Sequence, residues 1–71
     1  MKPELESKAK KTLARISNKP FYEHLKTTID AARNSIIRLR EKDEEIAASY
    51  IEMNVEKLLA GLDFLDKTKP V

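Results

Sequence analysis

Three groupings of side chains in this chain could carry chemistry: Tyr22-Glu23-His24, the pair Glu52/Glu56, and the cations Lys8, Lys11, Arg15 and Lys19. An imidazole can shuttle protons near neutrality, but it needs a pocket and an orienting partner. His24 falls near the start of a helical segment and off its apolar stripe, where an exposed or capping histidine is the plainer reading. Glu52 and Glu56 stand four apart, so a helix places them on one face. Di-metal helical bundles use carboxylates in this way, but they draw further Glu and Glu-x-x-His motifs from other helices. No such motif is present, His24 is the only histidine, and there is no cysteine. A multi-histidine or thiolate metal centre, a thiol nucleophile and a disulfide are therefore excluded. The single glycine, Gly61, likewise leaves no Gly-rich phosphate loop. The residues predict no catalytic site, no metal site and no cofactor, and hence a protein that is not an enzyme.

The cations are spaced 3, 4 and 4 apart, which on one helix makes a ridge beside the apolar stripe. Such a ridge can lie along phosphates with strongly salt-dependent affinity. Lysine and arginine are also ordinary solubilising residues, and the chain holds no helix-turn-helix reader, zinc finger or aromatic stacking platform. Nucleic-acid contact through Lys8, Lys11, Arg15 and Lys19 is thus an alternative to the main reading.

The elements that must position these groups follow from the apolar spacing. Residues 3–16 place Leu5, Ala9, Leu13 and Ile16 on one helical stripe, with Pro3, Glu4 and Glu6 suited to a first turn. Ser17-Asn18-Lys19-Pro20 is the clearest punctuation, combining cap-forming side chains with a proline that fits a new helix start. Residues 20–42 then repeat Phe21, Leu25, Ile29, Ala32, Ile36 and Leu39 at spacings of 4, 4, 3, 4 and 3, a narrow coiled-coil-like seam.

Residues 44–67 carry two apolar rows. Ala47, Ile51, Val55, Leu58, Leu62 and Leu65 make one seam; Ile46, Tyr50, Met53, Ala60 and Phe64 make another, interrupted by Lys57. Glu52, Glu56, Asp63 and Lys67 are left as the polar side. Between the second and third segments, Arg38 to Glu45 contains no glycine or proline. Cations at 38, 40 and 42 followed by acids at 43, 44 and 45 nevertheless fit a helix end and a helix start, with Asp43 as the expected cap. The pattern favours a tight hairpin over one long bent helix.

The fold predicted is all-α: three helices, the second and third forming an antiparallel hairpin, as a compact three-helix bundle or a hairpin dimer within one small domain spanning residues 1–71. In that hairpin Leu39 nears Ala47, Leu25 nears Leu62, and Glu52 and Glu56 approach Arg33. Net charge is +2, but residues 1–20 hold six basic and two acidic side chains, whereas residues 43–71 hold three and seven. Such a gradient marks either a binding surface or basic and acidic helices packed side by side.

No apolar run approaches the roughly 20 residues that span a bilayer. The first residues are charged rather than signal-like, so a cytoplasmic location without membrane contact is expected. A two-faced third helix needs two partners. Either the first helix covers the Ile46/Tyr50/Met53/Phe64 row, or that row serves contacts with another molecule: a second copy in a homodimer, or another helical protein. The reading that follows is a non-enzymatic helical protein-protein interaction module.

Overall fold

The computed structural model describes the backbone of residues 1–67 and the side chains of residues 1–64. Three helices follow in order: α1 (Pro3–Ala14), α2 (Lys19–Glu41) and α3 (Glu45–Lys67). Side-chain pairs fix their directions. Arg40 near the end of α2 bonds Glu45 and Glu52 early in α3, so these two helices run antiparallel. Glu6 bonds Arg33, Lys2 meets Glu52 and Arg15 meets Asp63, so α1 runs antiparallel to α2 and parallel to α3. The result is an up-down-up bundle in which α2 and α3 form the most extensive pair.

Each boundary has a local cause. Pro3 opens α1, where a missing N–H costs nothing, and Glu4 and Glu6 lie in its first turn. Asn18 caps α2: its Oδ1 accepts a hydrogen bond from the Phe21 N–H at 2.9 Å. The helix begins at Lys19, one residue before the expected start, and Pro20 sits among the first-turn positions whose N–H groups have no intrahelical acceptor.

The hairpin turn corrects one expectation. Asp43 is not the cap of α3 but the left-handed residue that ends α2, with φ 59°. The Asp43 N–H donates to the Arg40 carbonyl at 3.1 Å, and the Glu44 N–H to the Leu39 carbonyl at 2.9 Å. This is the paired C-terminal motif that normally recruits glycine. Glu44 then precedes α3, its carbonyl accepting from the Ala48 N–H at 3.1 Å. Without a glycine to advertise it, the turn relies on the tolerance of aspartate for this conformation.

The core is built by Leu5 and Ala9 from α1, Leu25, Ile29 and Ile36 from α2, and Ala48, Val55 and Leu59 from α3. Leu62, Leu13 and Ile16 pack against the cluster that holds Leu25, as the antiparallel register required for Leu25 and Leu62. Thr12 is buried as well, a position the apolar stripe of α1 passed over.

On α3 the buried line is Ala48, Glu52, Val55 and Leu59, continued by half-buried Leu62. It replaces the expected seam through Ala47, Ile51, Val55 and Leu58. Ala47 and Ile51 are half-buried and Leu58 is 39% exposed, while Leu65 lies outside the described side chains. The helix is rotated because its apolar arc was too wide to define a phase. Packing against α2 and α1 together, with Glu52 turned toward Arg40 and Lys2, fixes one.

Two measurements check this architecture by chemical denaturation. Leu59→Ala should cost about 2–4 kcal/mol, as for a buried leucine, whereas the neighbouring Leu58→Ala should cost under about 1 kcal/mol; equal costs would contradict the phase. Asp43→Gly should stabilise the fold by about 0.5–1 kcal/mol through relief at the left-handed residue, and a loss of stability would mean that the turn is built otherwise.

Candidate functional site: an outward apolar row on α3

The face of α3 pointing away from the bundle carries Ile46, Tyr50, Met53, Lys57, Ala60 and Phe64, at heptad spacings of 4, 3, 4, 3 and 4. At 100° per residue this row lies roughly opposite the Val55/Leu59/Glu52 line. Exposures are 79% for Ile46, 63% for Tyr50, 47% for Met53 and 65% for Phe64. The first helix therefore does not cover this row. It lies on another edge of α3, reaching it through Lys2 against Glu52 and Arg15 against Asp63. At about 18 Å for 12 residues, α1 also spans only half the length of its partners, each about 34 Å. Leu58 and, on α2, Phe21 and Ile37 are further exposed apolar side chains, but they do not continue the row.

The sequence-predicted basic ridge is divided by the fold. Lys8 and Lys11 are exposed on α1, Arg15 pairs with Asp63, and Lys19 is the first residue of α2 rather than an extension of α1. A ridge at 3-4-4 spacing needs one continuous helix, and α1 stops at Ala14.

The groups considered for acid-base chemistry are also accounted for. His24 and Glu23 are exposed in the first turns of α2. Glu52, expected on the polar side with Glu56, is 6% exposed, whereas Glu56 is exposed. Neither approaches Arg33, whose guanidinium forks onto Glu6 at 2.8 and 3.0 Å and reaches Asp30 at 2.7 Å. Hydrogen bonding to Glu6 outweighs partial desolvation and raises the Arg33 pKa. Among the described residues, no three His, Cys, Asp or Glu side chains gather in a way that could hold a metal. Over the same residues, no helix is long and apolar enough to cross a membrane.

Glu52 is the one buried carboxylate among the described residues. Its Oε1 accepts from Arg40 Nη2 at 2.5 Å and its Oε2 from the Lys2 backbone N–H at 3.1 Å. Arg40 simultaneously forks onto Glu45 at 3.0 and 3.1 Å. Burial pushes the Glu52 carboxyl up, but the Arg40 and Lys2 hydrogen bonds and the Arg40 charge together hold it below the ordinary carboxylate value. Glu45 is lowered as well, chiefly by its bond to Arg40. A carboxylate held ionised and saturated with donors is a structural latch rather than a proton donor.

A lowered folded pKa means that the unfolded chain binds more protons in acid. The resulting stabilisation is fully present above the usual carboxylate pKa of about 4.3 and is lost as pH falls through the lower folded value. Thermal melts should therefore weaken on acidification from about pH 5 to about pH 3. Glu52→Gln should lower stability at pH 7 by about 1–3 kcal/mol and flatten that acid slope; an unchanged slope would show that Glu52 does not carry it. Compared with known protein families, curated proteins and solved structures, the chain matches none, so its function rests on this geometry alone.

Proposed function

We propose that the chain is a non-enzymatic helical interaction module that associates, with itself or with another helical protein, through the outer face of α3. The observation carrying this reading is the exposed heptad row of Ile46, Tyr50 and Met53 on the side of α3 that α1 leaves open. Apolar side chains at coiled-coil spacing on a helix form the surface into which another helix interdigitates. Aromatic residues and methionine are enriched at such contacts, methionine because it adapts its shape. Scattered exposed apolar residues need no explanation, but a contiguous row facing one way does. The cations favour no second reading, because Arg15 is engaged with Asp63 and Lys19 stands on another helix.

The test is the double substitution Tyr50→Glu/Met53→Glu. Association measured by light scattering or by binding to a helical partner should be abolished, while helicity by circular dichroism and the melting temperature of the isolated chain stay close to the parent. Unfolding of the variant under conditions where the parent is monomeric would make the row internal core and end the reading.

A further inference from the structure

We infer that the occupant of the α3 outer face is the same face of a second copy, running antiparallel about a two-fold axis that passes between residues 53 and 57. This inference rests on the interaction-module reading and deepens it. Three features of the row select a second copy and this orientation.

The first is charge. Lys57 is the only charged residue in a row otherwise made of Ile46, Tyr50, Met53, Ala60 and Phe64. In a parallel pair Lys57 would face its own counterpart across the seam, a like-charge contact that opposes pairing. Antiparallel pairing about the stated axis sets Lys57 opposite the partner copy's Met53. Its aliphatic stem can lie on the thioether while the ammonium reaches water beside Glu56. Antiparallel helix dipoles also align favourably.

The second is size. The same axis brings Tyr50 over the partner copy's Ala60 and Gly61. Residues 57, 60, 61 and 64 stand at i, i+3, i+4 and i+7, the four corners of a knobs-into-holes socket. A large knob thus meets a socket floored by the two smallest side chains on this face, and the two-fold axis repeats the fit at the other end.

The third is Gly61 itself. A glycine inside a helix costs about 1 kcal/mol relative to alanine. Among the described residues nothing accounts for it: its φ is not positive, and a Cβ added there would meet none of their atoms within 4 Å. A glycine with no local reason on an exposed helix face fits close approach by something from outside, here the Tyr50 ring of the other copy.

The seam runs about 27 Å from Ile46 to Phe64 on a single helix. That is at the small end of specific interfaces, so the dimer should form in the micromolar rather than the nanomolar range.

The absence of cysteine allows single thiols to report the register. Tyr50→Cys and Ala60→Cys variants, mixed and oxidised gently at concentrations where the parent is dimeric by light scattering, should give the mixed disulfide in at least about tenfold excess over either homodimer. In the antiparallel pair, like positions lie about 15 Å apart along the axis. Gly61→Leu should weaken dimerisation by about tenfold or more while leaving the monomer at least as stable, since leucine is the better helix former. Predominant Tyr50→Cys homodisulfide would establish the parallel arrangement and overturn the inference. A dimer that gives neither product, or that is untouched by Gly61→Leu, would place the contact elsewhere. A parent that stays monomeric to millimolar concentration would overturn the second copy as occupant. The broader reading survives that last result if Tyr50→Glu/Met53→Glu leaves the monomer folded, and fails with it if that variant unfolds.

Discussion

The buried carboxylate of Glu52 is the constraint around which the bundle is arranged. A charge removed from water is tolerated only when its oxygens are supplied with donors. Here those donors come from two other elements: the Arg40 side chain near the end of α2 and the backbone N–H of Lys2 at the start of α1. One side chain thereby joins three helices at a single level. It also explains why a helix as short as α1 has a defined place, with Glu6 to Arg33 and Arg15 to Asp63 continuing the alignment along its length. The charge gradient along the sequence is in part consumed internally by these pairs. Exposed pairs contribute little stability, so their role is chiefly to select how the helices sit; the apolar core contributes most of the energy.

The placement of α1 has a consequence for the rest of the surface. With α1 at the Glu52 edge and α2 along its length, α3 turns Ala48, Val55 and Leu59 inward, and Ile46, Tyr50 and Met53 face out. An apolar face that α1 leaves uncovered is therefore tied, through the Glu52 carboxylate and its bonds to Lys2 N–H and Arg40, to the same contact that makes the fold. The proposed association surface and the core of α3 are two sides of one helix and cannot be altered independently in phase.

Much of this architecture is readable in the residues. The α2 seam through Leu25, Ile29 and Ile36 is narrow, so its phase is unambiguous, and those three positions are buried. Asn18 and Pro20 mark a helix start with side-chain chemistry that acts locally. Where the chain misleads, the cause is a competing long-range contact. Glu52 looks like a solvent-facing acid until Arg40 and Lys2 converge on it. Leu58 looks like core because the apolar arc of α3 is wide enough to admit several phases. Asp43 looks like an N-cap because aspartate is good at both capping and left-handed turns, and only the backbone bonds of the α2 terminus distinguish the two. The outward row itself was legible as a row; whether α1 would cover it was not.

Local physical chemistry acting along the chain thus determined the helices, their approximate limits and the hairpin turn, and composition determined the lack of a thiol and of a second histidine. Each of these depends on side chains within a turn or two of one another, or on composition. Tertiary structure alone decided which edge of α3 receives α1, which of its two rows is core, and whether Glu52 is buried, because those outcomes depend on contacts between residues up to 50 positions apart. A pattern of apolar spacing reports that a face wants covering; only the packed helices decide which face is left.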